Sequence, residues 1–227
     1  MKLSNETIGV LKNFGSINQN LVIKEGNIMT TMSAMKNIVA KADVTETFPR
    51  EVAIYDLNEF LSSLSLFAEP VLDFQEQYMT MKDEGSKATL KYWYSDPSVV
   101  TSPSKMITMP SKDVKLTLAS EDIEKLKRAA SVVQAPDMVL EKTDAGVSLM
   151  VCDKKNTTAN NYAIDVECDS DAKSFKFYFK VENLKLLPGT YDITISQKNI
   201  SNFKNSNKNV EYWIALEPES TLSLIHI

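Results

Sequence analysis

Apolar residues recur at helical spacing in four places along the chain. The first stretch opens at Ser4, a good N-cap, and carries Leu3, Thr7, Val10, Leu11 and Phe14 on one stripe, with Asn5, Gly9 and Lys12 on the other side. The second opens at Asp56 with Glu59 three residues on, close to a capping box, and sets Leu57, Phe60, Leu61, Leu64 and Phe67 on one face. The third starts at Ser120, with Glu121 and Asp122 at the positive end of the helix dipole and Ile123, Leu126, Ala130 and Val133 as its buried stripe. The fourth is short, residues 181–187, and is stopped by Pro188-Gly189.

Strand-like runs broken by turn residues fill the intervals. They cover residues 21–23, 28–29, 38–44, 88–94, 138–142, 147–151, 162–166, 174–179, 191–196 and 210–216, and Asp144-Ala145-Gly146 reads as a hairpin turn. The order is helix, strands, helix, strands, and then the same again. The first helices of the two halves start 116 positions apart (4 to 120) and the second helices 125 apart (56 to 181), while residue identity between the halves is negligible. Residues 96–110 hold Pro97, Pro103 and Pro110 in a polar stretch, which predicts an extended linker between two α+β domains, residues 1–95 and 111–227.

Composition narrows the chemistry. With 227 residues, 43% hydrophobic and 24% charged, the chain has a globular balance and length for one large core or two modest ones. No apolar run approaches the ~20 residues that cross a bilayer, and the start lacks a secretory h-region, so a soluble, intracellular protein is expected. His226 is the only histidine, which starves histidine triads, zinc sites and Cys–His dyads. Cys152 and Cys168 lie outside any CxxC motif and read as reduced thiols, with a disulfide as the other reading. Six glycines form no phosphate-cradling motif. Sequons at Asn5, Asn156 and Asn199 are chance matches in an unsecreted protein. The acidic run at residues 165–171 fails as a calcium loop, because Ser170 stands where the turn needs Gly and Lys176 where the bidentate Glu belongs. No metal, no cofactor and no catalytic residues are expected.

The formal charge is −5, yet cations gather on helix faces. Arg128 lies opposite the buried stripe of the third helix, Lys125 shares that outer face, Lys127 sits at its flank, and Lys12 points away from the Leu11 and Phe14 side. Two readings fit: solvated faces, or cations aimed at phosphates, since phosphate affinity follows local charge rather than the total.

Several segments together resemble the sliding clamps (DNA polymerase processivity factors) of T-even-type bacteriophages. They are Met1-Lys2-Leu3-Ser4 with Leu11-Lys12-Asn13-Phe14; Val52-Ala53-Ile54-Tyr55-Asp56-Leu57-Asn58 followed by Phe60-Leu61 and Leu64-Ser65-Leu66; Asp96-Pro97-Ser98; Phe175-Lys176-Phe177; Leu187-Pro188-Gly189-Thr190-Tyr191; and Leu216-Glu217 with Ser220-Thr221. The resemblance spans essentially the whole chain and implies two clamp-fold domains per chain. Three chains would close head-to-tail into a six-domain ring, with helices lining a DNA channel and sheets forming the outer wall. It places Lys12, Arg128 and Lys185 on basic positions of the family pattern; Lys125 is added by the helical wheel, and Lys127 is carried with it. Three copies would carry three times −5, a formal −15 that discourages DNA from the exterior.

The same resemblance implies that residues 88–94 pair with residues 160–164 of the next chain. The contacts would be Ala88, Tyr92 and Trp93 on one side and Asn160, Tyr162 and Ile164 on the other, with Tyr92 and Trp93 as anchors. It also implies a partner-peptide groove of Val100, Ile107 and Met109 with Ala215, Leu216 and Pro218, although such apolar residues can equally pin the linker to its own domain. The partners it implies are duplex DNA, bound without regard to sequence, the phage DNA polymerase and a clamp-loader ATPase, then late-transcription factors and repair or ligase proteins, in the cytoplasm of the infected bacterial host. A phage structural or assembly scaffold is the alternative. The segment 222–227 is apolar and departs from the family pattern.

Overall fold

The computed structural model describes residues 1–103 and 105–224, and the chain divides into two units, Met1–Met106 and Ile107–Ile227. In the first unit, helix α1 (Asn5–Ile17) is capped by Ser4, whose hydroxyl accepts the Thr7 N–H at 3.1 Å. Thr7, Val10, Leu11, Phe14 and Ile17 are buried, which leaves Lys12 exposed. Helix α2 (Leu57–Leu64) is capped by the Asp56 carboxylate, which accepts the Asn58 and Glu59 N–H groups at 2.9 and 3.2 Å. It buries Leu57, Phe60 and Leu64.

Strands β1 (Leu21–Ile23), β2 (Gly26–Met32), β3 (Ile38–Phe48) and β4 (Val52–Ile54) form an antiparallel set in the order β4-β1-β2-β3. Glu46 on β3 anchors the start of α1 by accepting the Ser4 N–H and the Thr7 hydroxyl. Burial pushes its carboxyl up, but these hydrogen bonds outweigh burial and hold it below the usual range. Strands β5 (Val71–Phe74), β6 (Tyr78–Lys82) and β7 (Leu90–Trp93) form a second sheet in which β7 is an edge.

The start of the proline-rich stretch is more ordered than an extended linker. Pro97–Val99 makes one 3-10 turn, capped by the Asp96 carboxylate accepting the Ser98 N–H at 2.8 Å, and Val100 is buried against Val22 and Ala53. Burial of an apolar side chain is worth roughly 1.5–3 kcal/mol, enough to hold this segment on the first unit.

The second unit begins with β8 (Val114–Leu118) and α3 (Ser120–Val133). One sheet runs β11 (Tyr162–Asp165), β10 (Gly146–Cys152), β9 (Asp137–Thr143), β12 (Ala172–Lys180) and β16 (Thr221–Leu224). The other set orders β8 beside β13 (Tyr191–Ser196), then β14 (Ile200–Asn205) and β15 (Val210–Ala215). The divergent tail therefore contributes a strand, with Leu222 opposite Phe175; His226 lies outside the described residues.

The helix expected over residues 181–187 is corrected to a single 3-10 turn, Val181–Asn183. Leu184 and Leu186 are both buried, an alternation that a helix would not produce. The Leu187 backbone is also engaged: its N–H donates to the Tyr212 hydroxyl at 3.2 Å, and its carbonyl accepts the Tyr191 hydroxyl at 2.7 Å. The Leu-Pro-Gly-Thr-Tyr segment is thus a corner. Gly189 has a φ of +152°, and a Cβ there would overlap the buried Asn205 side chain, so a larger residue would be strained.

An ion network ties the chain after β15 to the β9–β12 sheet. Asp137 is 1% exposed, with Lys180 Nζ at 2.6 Å and Lys154 Nζ at 3.8 Å. Lys154 also meets Glu217 at 2.9 Å and contacts Glu219, while Lys180 lies 3.8 Å from Glu217. Burial alone would lower the Lys154 pKa, but its carboxylate partners outweigh burial and raise it.

Candidate functional site

Among the described residues, the exposed cations carried on helices fall on α1 and α3. On α1 the outer face presents Lys12 among Asn5, Glu6 and Ser16, all exposed. On α3 the first turn carries Glu121, Asp122 and Glu124, and the basic residues Lys125, Lys127 and Arg128 follow. Acids at the helix start satisfy the dipole, so positive charge concentrates one turn later. Lys125 and Arg128 are exposed, and Lys125 Nζ lies 3.6 Å from Asp122, an exposed pair worth at most about 1 kcal/mol.

Lys127 is different: it is half-buried, with its stem over an apolar cavity of about 20 Å³ that Leu126, Ala130 and Val151 also line. Burial lowers its pKa, and Glu124 opposes the shift. It snorkels from the core rather than standing on the outer face. Lys185 does not sit on a helix; it is half-buried on the irregular segment after the 3-10 turn. Helix α2 exposes Glu59 and Ser62 and no cation. This arrangement can attract a polyanion weakly at α1 and α3, and it contains nothing that reads base edges.

The edges of two sheets hold the expected self-contact residues. On β7, Leu90 and Tyr92 lie opposite Met81 and Met79 of β6, which are buried, so both face their own core. The Tyr92 ring meets Phe60 edge-on at 5.4 Å, and its hydroxyl donates to the Asp56 carbonyl at 3.4 Å. Burial, aided by the Glu59 and Asp56 carboxylates, pushes the Tyr92 hydroxyl up to about 12. The two expected anchors therefore point to opposite faces. Trp93 lies on the outer face, 57% exposed. Ala88, just before the strand, is exposed.

On β11, Tyr162 and Ile164 lie opposite Val151 and Leu149 on the core face, with Tyr162 exposed and Ile164 half-buried; Asn160, ahead of the strand, is exposed. Back on β7, Lys91 lies opposite Thr80 on the same outer face as Trp93, a cation that the sequence pattern alone does not single out. Its Nζ stands 3.7 Å from the Tyr78 ring centroid and 4.1 Å from that of Trp93. The signal that could have found it is the alternation Tyr78, Thr80 against Met79, Met81, which marks β6 and its outer face.

The remaining candidates divide. Val100 is buried beside Val22 and Ala53 in the first unit. Leu216 is buried in the second unit, its N–H donating to the Asn199 carbonyl at 2.9 Å. Ile107, Met109 and Ala215 are half-buried, and Pro218 is exposed. Both cysteines are free thiols, half-buried, with their pKa values raised by burial. Among the described residues no group of His, Cys, Asp and Glu could hold a metal ion, and no helix is long and apolar enough to cross a membrane.

Comparison with known proteins follows the same division of the chain. Residues 4–101 match the family described as DNA polymerase processivity factor, and residues 115–218 match the one described as gp45 sliding clamp, C terminal. The sliding clamp of Vibrio phage KVP40 is 34% identical over 224 residues, covering 96% of this chain and 99% of the relative. The sliding clamps of Escherichia phage RB69 and Enterobacteria phage T4 are 28% and 27% identical over 227 residues, each covering 97% of this chain and 99% of the relative. Among solved structures, PCNA from Thermococcus kodakaraensis superposes with a TM-score of 0.69 at 15% identity, covering 96% of this chain and 99% of that one. The proliferating cellular nuclear antigen of Entamoeba histolytica gives 0.65 at 14% identity, covering 93% and 94%.

Proposed function

The chain belongs to the sliding-clamp family of DNA polymerase processivity factors, and from that premise we propose that three copies close head-to-tail into a ring through which duplex DNA runs. The protein is a phage sliding clamp acting in the infected host cell, and its cytoplasm is the compartment we assign. The observation that carries the reading is the relationship to the KVP40 clamp across nearly the full length of both chains. The relatives are clamps rather than assembly scaffolds, so the scaffold alternative has no support.

The device we propose works by topology. A closed ring cannot leave an uninterrupted duplex, so its contacts to phosphates can stay weak and water-mediated, and the ring can slide. Lys12, Lys125 and Arg128 supply that contact, with Lys185 in a lesser role and Lys127 held back by its burial. A polymerase tethered to the ring rebinds at high effective concentration after each release. The chain itself carries out no catalytic step; a clamp-loader ATPase opens the ring. The subunit contact is edge to edge, β7 and Ala88 of one copy against β11 and Asn160 of the next. Particle mass tests the assembly: a discrete three-copy particle at micromolar concentration is expected, and open polymers or monomers would contradict it.

Partner peptides, including those of the polymerase, late-transcription factors and repair or ligase proteins, bind a groove formed by Ile107, Met109, Ala215 and Pro218. Methionine adapts to varied ligands, which suits a shared site. Leu216 supports the groove from below and is unsuitable as a probe, because truncating a buried leucine costs about 2–5 kcal/mol of stability. Ile107→Ala with Met109→Ala should weaken binding of the polymerase's clamp-binding peptide about tenfold, a loss of roughly 1.4 kcal/mol, with particle mass unchanged. Unaltered peptide affinity would remove the assignment.

A further inference from the structure

We infer that the contact between copies is locked in register by an ion pair between Lys91 of one copy and Asp165 of the next, with Lys91 held ready by two aromatic rings. The inference rests on the edge-to-edge reading above and adds the residues that choose one alignment among several.

Both strands are edges, β7 outermost beside β6 and β11 outermost beside β10. Their faces are fixed by the pairings within each unit. Leu90 and Tyr92 share a face with buried Met81 and Met79, whereas Lys91 and Trp93 share the other with Thr80 and Tyr78. Likewise Tyr162 and Ile164 share a face with buried Val151 and Leu149, whereas Ala163 and Asp165 share the other with Met150 and Ser148. A strand added to a sheet must match faces, because a one-residue slip turns every side chain over.

That rule decides among alignments. Both sheets are antiparallel throughout, and an antiparallel pairing that overlapped all four residues of each strand would set Lys91 opposite Ile164 and Trp93 opposite Tyr162, core against outer face. A shift of one residue in either direction restores the match. One shift sets Lys91 opposite Ala163 and Trp93 opposite Asn161. The other sets Lys91 opposite Asp165, Trp93 opposite the small Ala163, and Tyr92 opposite Ile164. Only the second places opposite charges directly across and a large side chain against a small one.

The charges around the two edges agree. Residues 86–94 carry Lys87 and Lys91 and no acid, and residues 160–171 carry Asp165, Glu167, Asp169 and Asp171 and no base. Lys91 and Asp165 are exposed, and among the described residues neither belongs to an ion pair. The Tyr78 and Trp93 rings, 5.2 Å apart and tilted at 55°, hold the Lys91 ammonium by cation–π attraction. Less side-chain freedom is then lost when a second copy docks. Like charges brought together at such an edge disfavour wrong alignments as well as wrong partners.

Charge reversal tests this on the full chain. Lys91→Glu and Asp165→Lys, each alone, should raise the concentration at which the assembled particle dissociates about tenfold or more, the range of close interfacial charge pairs. The combined variant Lys91→Glu with Asp165→Lys should recover most of that loss, read by sedimentation at low salt. Ile164→Asp, a charge on the core face of the same edge, is the companion variant, its fold checked by circular dichroism. Dissociation by Ile164→Asp with no effect of either reversal would overturn the Lys91–Asp165 pair alone, as would two disruptive singles without recovery in the double. An intact particle in all four variants would overturn the edge pairing itself.

Discussion

Asp137→Ala should destabilise the second unit by about 3–5 kcal/mol, the cost of removing one partner from a buried ion pair. Asp137 is 1% exposed and faces the Lys180 ammonium at 2.6 Å and that of Lys154 at 3.8 Å, and it accepts the Lys154 backbone N–H at 3.2 Å. Lys154 is itself only 12% exposed in its side chain, so without Asp137 a desolvated cation loses part of its compensation. Asp137→Asn keeps an acceptor for the N–H and should cost less. Urea unfolding of the two variants checks the order; a loss below about 1 kcal/mol for alanine would mean that water reaches the cluster and the network is structurally idle. The same network holds Glu217 and Glu219 on either side of Pro218, so weaker binding of partner peptides should accompany the reduced stability.

Reversing the exposed helix cations should have the largest functional effect. Lys12→Glu with Lys125→Glu and Arg128→Glu turns the outer faces of α1 and α3 acidic while touching no buried side chain. Helix α2 offers only Glu59 there, so no neighbouring cation compensates. For every phosphate that the protein no longer neutralises, the salt-dependence slope of DNA binding should fall by about 0.9. Loader-dependent deposition on DNA and polymerase stimulation should drop by an order of magnitude or more, while particle mass stays constant. Full activity in this variant would rule out cations on these helices as the DNA contact.

The helices were legible in the sequence because their starts are chemically marked: Ser4 and Asp56 cap α1 and α2 with their side chains, and the buried residues follow at helical spacing. The start of α3 was also readable, from its acidic first turn rather than from a capping bond, which Ala119 cannot make. The 181–187 segment misled because leucines at 184, 186 and 187 suit a helix by composition. The Leu187 backbone is instead engaged by the hydroxyl of Tyr191, four residues on, and by that of Tyr212 on the more distant β15, a tertiary contact that no local pattern carries. Strands β5 and β6 carry little strand signal in the sequence because β6 buries methionines, and β5 holds Asp73 among its four residues.

The site was legible in part for related reasons. Lys12, Lys125 and Arg128 follow from the helical wheel. The half-burial of Lys127 depends on a cavity built by strands remote in sequence, Val151 among them. Val100 looked free within a polar segment, yet Val22 and Ala53 cover it. Lys91 could not be singled out while its partner strand β6 was unread.

Encirclement, not adhesion, is the proposed basis of this clamp's persistence on DNA. Retention of the loaded wild-type protein should be compared on a sealed circular duplex and on the same duplex after a single cut by a restriction enzyme. Long residence on the circle and prompt loss through the free ends after cutting is the predicted result. Equal residence on both, abolished only by salt, would show a protein that grips its DNA and would contradict the account.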